Sequence, residues 1–214
     1  MGSDDWYRRT TWTAADREAF HLRLRRSRSA FHRAQYLRIQ ALHLAETGTH
    51  AHTRSALELL DELVRDHPEP SQLAEAHRQR ASCLAGLGQT EDALDAYREA
   101  LATQRRFPNV RGLAYLEFAE LVVARGREDL FAEAVAGLDE LGGDELLPVL
   151  EFRCFAVRAL MSEARGDRET AAQAARRALV AASKTESPFR WHRKLGLVGS
   201  IAPDLERRLR ALAS

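Results

Sequence analysis

The chain has 214 residues, of which 45% are hydrophobic and 29% charged, and its formal net charge is +1. These values exclude a disordered chain, a collagen and a disulfide-stabilised miniprotein. No run of 18 apolar residues is present, and residues 1–13 lack the apolar core of a secretory signal. We therefore expect no membrane segment and a cytoplasmic location, where Cys83 and Cys154 stay reduced.

The charge is distributed unevenly along the chain. Residues 1–40 carry +5, residues 41–185 carry −7 and residues 186–214 carry +3. Arginine supplies 30 of the 32 basic residues, as is common in the proteins of GC-rich bacterial genomes. Two basic ends therefore flank an acidic middle.

The N-terminal segment combines aromatic and basic side chains. Residues 1–13 form an arm that contains Trp6, Tyr7 and Trp12, and Thr13 is a predicted N-cap for the helix that follows. In that helix, over 14–29, Arg23 and Arg26 lie away from the apolar stripe. The arm and these arginines could dock a partner, but we favour the interpretation that they close the end of the fold.

Glycine and proline recur at regular intervals after this segment and separate segments with helical spacing. Strand patterns are nearly absent. The predicted helices span 14–28, 30–47, 53–66, 71–87, 90–106, 110–125, 128–141, 145–165, 168–184, 189–198 and 203–212.

An internal repeat is the strongest pattern in the sequence. Residues 88–101 match residues 166–179 at an offset of 78, in the turn glycine, the small residue five positions later and the final Ala-Leu pair. Intermediate copies after Gly48 and Gly126 fit if three extra residues lengthen each turn. The helix before each glycine carries a small residue and then a larger one three positions later, at Ala41/Leu44, Ala81/Leu84, Ala119/Val122 and Ala159/Ser162.

This spacing resembles the tetratricopeptide repeat family over residues 30–185. The best copy, residues 74–108, has Ala81, Leu84, Gly88, Ala93, Tyr97 and Ala100 at the family's key positions. The resemblance implies an all-α, right-handed solenoid of about four antiparallel helix pairs, with an N-terminal helix and capping helices over 186–214. A HEAT-like solenoid or an irregular helical bundle is the alternative. The family also implies binding and scaffolding without catalysis.

Patterns that carry chemistry are weak. No phosphate-binding glycine loop and no nucleophile elbow is present. His43, His50 and His52 gather around the Gly48 turn, where two imidazoles in a loop could serve a metal, but no fourth ligand completes the set. We expect a solvated loop there, two packed cysteines, no cofactor and no enzymatic activity.

The resemblance places a concave groove on the first helix of each pair. The predicted partner-binding residues are Arg38, Leu42, Arg78, Leu113, Leu116, Glu120 and Arg153. Some family members clamp the terminal carboxylate of chaperone tails in this groove. Here Arg38 fits one clamp position, whereas Leu42, Leu113 and Glu117 occupy others, so a chaperone-tail role is disfavoured. A peptide with apolar anchors and acidic residues suits this face better.

The favoured hypothesis is therefore an adaptor that binds one protein or peptide partner. A homodimer held by the N-terminal arm is the main alternative. A nucleic-acid accessory that uses the two basic ends is less favoured, because no helix-turn-helix or base-stacking platform accompanies the charge.

Overall fold

The computed structural model describes residues 5–142 and 147–214, and over these ranges it contains helices and no strand. The chain divides into two compact units, residues 1–114 and residues 115–214. The helices are α1 Ala14–Arg26, α2 Ala30–Ala45, α3 His50–Asp66, α4 Pro70–Gly86, α5 Thr90–Arg106, α6 Ala114–Ala124, a 3₁₀ turn Glu128–Leu130, α7 Phe131–Leu141, α8 Pro148–Ala164, α9 Arg168–Ala182 and α10 Pro203–Ala213.

The first unit begins with the predicted cap of α1. The Thr13 hydroxyl accepts a hydrogen bond from the Asp16 backbone N–H at 3.2 Å, and the Asp16 carboxylate accepts one from the Thr13 N–H at 3.0 Å. The N–H of Thr13, and then its hydroxyl, which donates to the same carboxylate at 2.8 Å, lower the pKa of Asp16 to about 2. This reciprocal capping box satisfies two backbone donors that the helix itself cannot.

Two helix hairpins follow, α2 with α3 and α4 with α5, and α4 also packs against α2 and α3. Helices α2, α3 and α4 share a core with α1, because a single hairpin cannot bury its own apolar face. The largest buried side chains of this core include Phe20, Leu37, Leu44, Leu60 and Leu63.

The turn between α4 and α5 shows why a glycine stands at this point of the repeat. Gly88 adopts a left-handed backbone with φ of 80°, which residues with a Cβ rarely adopt. The next N–H, that of Gln89, donates back to the carbonyl of Leu84 at 2.9 Å. This arrangement satisfies carbonyl groups at the end of the helix.

The same turn recurs in the second unit. Gly166 has φ of 76°, and the Asp167 N–H donates to the Ser162 carbonyl at 3.0 Å. Gly126 has φ of 61° with an equivalent bond from Arg127 to Val122. The aligned positions of the sequence repeat therefore share one backbone geometry.

The predicted lengthened turns are wrong. The first helical residue follows Gly48, Gly88 and Gly166 by the same two positions. The three extra residues after Gly48 form the first turn of α3, where Thr49 caps the helix by accepting from the His52 N–H at 3.2 Å. The extra residues after Gly126 form the 3₁₀ turn that leads into α7. A good N-cap lets α3 begin two residues after the glycine, so the turn keeps the length that it has after Gly88 and Gly166.

The second unit contains α6 to α10. Helix α8 pairs with α9, and α10 packs on both. Their shared core consists mainly of alanine, together with Leu209 from α10, which is fully buried. The expected C-terminal capping helix is thus present, with Pro203 at its first turn.

The helix predicted over 189–198 is absent. Residues 189–195 instead form isolated turns, with the His192 N–H donating to the Phe189 carbonyl and the Leu195 N–H to the His192 carbonyl, each at 2.9 Å. Gly196 follows in the left-handed region with φ of 68°. The Gly196 carbonyl accepts a hydrogen bond from the Val149 N–H at 2.8 Å, so this end of the segment is bonded to the first turn of α8 and does not continue a helix.

In the residues that the structure describes, no helix combines the length and the apolar character that a bilayer crossing requires.

Candidate interaction surface

Arg38 is the central residue of the predicted surface in the first unit. It lies on α2, half-buried, and its Nε donates to the Oε1 of Gln72 at 2.8 Å. Burial lowers the pKa of this guanidinium from its usual value; the nearby charge of Arg78 acts in the same direction, and that of Glu75 opposes both. The guanidinium stays charged at any ordinary pH.

Arg78 has a different environment on α4. Its Nε donates to one carboxylate oxygen of Glu75 at 2.8 Å, and its Nη2 donates to the other at 2.6 Å. The amide of Gln79 donates to the same carboxylate at 3.2 Å. Glu75 therefore neutralises Arg78 in a forked pair. Arg38 is left with a neutral amide as its hydrogen-bond partner.

The predicted residues divide between the two units. Arg38, Leu42, Arg78 and Leu113 lie in the first unit, where both leucines are half-buried. Leu116, Glu120 and Arg153 lie in the second. Within its own unit, Arg153 on α8 donates through Nε and Nη2 to both oxygens of Glu120 on α6, at 2.7 and 2.6 Å. The hydrogen-bonded carboxylate raises the pKa of Arg153.

Leu116 does not lie on an exposed surface, so this part of the prediction is wrong. The side chain is fully buried. The buried residues of α6 are Ala114, Tyr115, Leu116, Phe118, Ala119 and Val122. They cover a wide arc of the helix that includes Leu116, whereas the prediction placed Leu116 on an exposed face.

The N-terminal arm packs on its own unit. The Trp6 ring lies 5.2 Å from that of Phe20 and 4.8 Å from that of Tyr36, and Tyr7 lies 4.6 Å from Tyr36. Trp12, which is 7% exposed, contacts Phe20 at 5.4 Å between ring centroids. The arm thus closes the end of the first unit through α1 and α2.

A backbone clamp fixes the arm. Gln40 is fully buried; its amide donates to the Arg9 carbonyl at 2.7 Å and accepts from the Arg9 N–H at 3.1 Å. Tyr36 and Gln40 lie on the face of α2 opposite Arg38, since successive helical residues turn by about 100°. The arm therefore leaves the Arg38 face of α2 uncovered. Arg23 lies over the Trp6 ring at 5.9 Å, and Arg26 is exposed.

The expected histidine loop is part of a helix. His50 and His52 lie in the first turn of α3, and His52 Nδ1 lies 2.8 Å from the Thr47 hydroxyl oxygen. Among the described residues, no group of three His, Cys, Asp or Glu side chains is placed to hold a metal ion. Cys83 and Cys154 are buried, and burial raises the pKa of Cys83 to about 11. A thiol of that pKa is a poor nucleophile.

Sequence reasoning missed the loop between α9 and α10. Its Trp191 is 82% exposed, and Phe189 and Leu195 are also exposed. The Ser187 N–H donates to the Arg193 carbonyl at 2.8 Å and closes the base of this loop. The dense run of aromatic and basic residues was visible in the sequence, but the helix prediction concealed its exposure.

Comparison of the chain with models of protein families, with curated proteins and with solved structures finds no match.

Proposed function

We propose that this chain is a cytoplasmic, non-catalytic adaptor of the tetratricopeptide type. It binds an acidic segment of a protein or peptide partner on the α2–α4 face of its first unit. The hairpins, the shared glycine turns and the small residues at the helix contacts support the solenoid form of the proposal, with right-handed stacking of the pairs.

Arg38 is the observation that carries this proposal. A half-buried cation normally has a carboxylate partner, because desolvation of an unpaired charge is costly. Here the carboxylate whose charge acts on Arg38, that of Glu75, is held by Arg78 in a forked pair. A carboxylate from a partner would give Arg38 the bidentate hydrogen bonds that Gln72 does not supply.

The position of the N-terminal arm favours this proposal over assembly through the arm. Trp12 is buried within its own chain, and Trp6 and Tyr7 pack on Tyr36. These aromatic anchors have little apolar area left for a second copy.

The test is affinity capture from the native cytosol with three forms of the full chain, followed by mass spectrometry. One form is unchanged, one carries Arg38→Ala with Arg78→Ala, and the matched control carries Arg65→Ala with Arg98→Ala. The control removes two arginines of the same unit that pair with Asp66 and Asp95 on the exposed surface. Leu116 is not mutated, because its loss would disturb the core.

We expect the unchanged chain to capture a partner that the Arg38/Arg78 variant binds at least about 10-fold more weakly. The reason is that a charged hydrogen bond contributes roughly 1.5–3 kcal/mol. The control should retain this partner, and circular dichroism should show unchanged helicity in all three forms. Equal retention by the Arg38/Arg78 variant and the unchanged chain would contradict the proposal.

A further inference from the structure

A cleft in the second unit has a lining unlike the rest of the surface. It is formed by α7, α8 and α9 and has a volume of about 290 Å³. Three arginines contribute to it, Arg158, Arg165 and Arg177. The volume is near the lower end of the range for small-molecule sites, roughly 300–1,000 Å³.

Aromatic rings hold two of these guanidinium groups in place. Arg177 lies over the ring of Phe155, 3.9 Å from its centroid, and Arg165 lies over the ring of Phe131 at 5.6 Å. Such cation–π contacts orient a guanidinium and leave its N–H groups free to donate. The two groups are therefore positioned before any ligand arrives.

Neither Arg165 nor Arg177 has a carboxylate partner in the part of the chain that the structure describes. Arg158 differs, since its Nη2 donates to Asp139 at 2.6 Å. Most other arginines of this unit resemble Arg158, with acidic partners for Arg153, Arg207, Arg208 and Arg210. The cleft thus contains two oriented cations that the protein does not neutralise.

The other polar groups of the lining include Ser162 and Thr170, whose hydroxyls are hydrogen-bond donors. The lining has one carboxylate, that of Asp167, which accepts from the Thr170 N–H at 3.0 Å. These bonds to Thr170 lower the pKa of Asp167. Since Asp139 neutralises Arg158, the guanidinium groups of Arg165 and Arg177 against the carboxylate of Asp167 leave one positive charge in excess.

We propose that this cleft binds a phosphate monoester. The ester is an anion at neutral pH and presents three acceptor oxygens, which match the oriented N–H donors of Arg165 and Arg177. The group could belong to a free metabolite or to a phosphorylated side chain of a protein, since both present the same chemistry.

The test is isothermal titration of the full chain with four probes. These are inorganic phosphate, O-phosphoserine, a short phosphoserine peptide and the same peptide without phosphate. We expect saturable binding of the three phosphorylated probes and none of the unmodified peptide. A peptide that binds about 10-fold tighter than O-phosphoserine assigns the site to phosphorylated proteins; equal affinities assign it to free phosphate esters.

Variants tie the binding to the cleft. Arg165→Gln with Arg177→Gln should weaken O-phosphoserine binding by about 10-fold or more. The control, Arg207→Gln with Arg210→Gln, removes the same charge from α10 and should stay within about two-fold of the unchanged chain.

Asp167→Asn should tighten binding by about five-fold, because it removes a like charge and keeps a side chain that caps α9. This gain cannot come from misfolding. The proposal would be overturned if none of the three phosphorylated probes showed saturable binding. It would also be overturned if the Arg165/Arg177 variant and its control bound O-phosphoserine equally well.

Discussion

The hairpins α4–α5 and α8–α9 share a turn but differ in how their cores are filled. Helix α5 buries bulky residues, among them Leu94, Tyr97 and Leu101. The buried residues of α9 are all alanine, namely Ala171, Ala174, Ala175, Ala178 and Ala181. Alanine lets two helices approach closely, but it buries little apolar area.

This difference shows that hairpins with the same backbone turn can obtain their large buried side chains from different helices. In the α4–α5 hairpin these side chains come from the second helix. The α8–α9 hairpin draws them from its first helix, where Phe152, Val157 and Met161 are buried, and from outside, because Leu209 of α10 enters the alanine-rich core and is fully buried. The C-terminal helix is thus a structural part of the last hairpin as well as a cover for it.

The largest effect should follow from removing this bulk. Leu209→Ala should destabilise the second unit by about 2–5 kcal/mol, because the loss of buried methyl groups leaves a cavity that a helix-packed core fills poorly. Hydrogen exchange with mass spectrometry should show faster exchange in α8, α9 and α10.

The matched control for this prediction is Leu195→Ala, the same substitution at a side chain that is 52% exposed in the same unit. It should change stability by less than about 0.5 kcal/mol. If Leu209→Ala were equally mild, the alanine core would be self-sufficient, and the contrast between the two hairpins would fail.

A smaller effect should show that the turn is common to both hairpins. Gly88→Ala and Gly166→Ala should each cost about 1–2 kcal/mol, because an added Cβ meets no atom within 4 Å but the left-handed backbone is strained. Gly86→Ala, two residues before Gly88 and inside α4, should instead stabilise by about 0.5–1 kcal/mol. Urea unfolding of the three variants measures these shifts, and a penalty at only one of the two turns would contradict their equivalence.

The smallest effect concerns pH and should be confined to the first unit. His21 Nε2 lies 3.0 Å from a carboxylate oxygen of Glu62, and this contact raises the pKa of the imidazole above its usual value. The pair therefore stabilises fully below the pKa of an unfolded histidine, and the stabilisation is lost as pH rises through the raised value. The only histidine of the second unit, His192, is exposed.

His21→Gln should reduce stability by less than about 1 kcal/mol near pH 5.5 and have little effect near pH 8.5. Thermal unfolding of both forms at the two pH values gives the difference directly. The comparison of the two forms also cancels the contribution of His77, which both forms contain. Burial lowers the pKa of His77, so its contribution to stability has the opposite pH dependence. An equal loss at both pH values would show that the pair is not ionic.

Periodicity predicted most of the helices, because small residues at helix contacts and turn glycines are local features of the sequence. The N-cap at Thr13 and the helix that starts at Pro203 were visible for the same reason. The 189–198 segment was predicted wrongly, since spacing does not show that the Gly196 carbonyl is bonded to the distant N–H of Val149.

The surface was harder to predict than the fold. The family resemblance implied one groove for Arg38 and Arg78, but it did not show that Gln72 and Glu75 are their partners. The cleft of Arg165 and Arg177 depends on which aromatic ring lies beneath each guanidinium, a property of packing between helices. The prediction for Leu116 failed because spacing alone does not show how wide the buried face of α6 is.

The three tryptophans differ in exposure, so their intrinsic fluorescence can report separately on different parts of the chain. Trp12 is buried and Trp6 partly so in the first unit, whereas Trp191 is almost fully hydrated in the second. Iodide should quench the red-shifted emission of Trp191 first and leave the shielded indole of Trp12 emitting. A single fluorescence titration thereby separates events at the two ends of the polypeptide without any introduced dye.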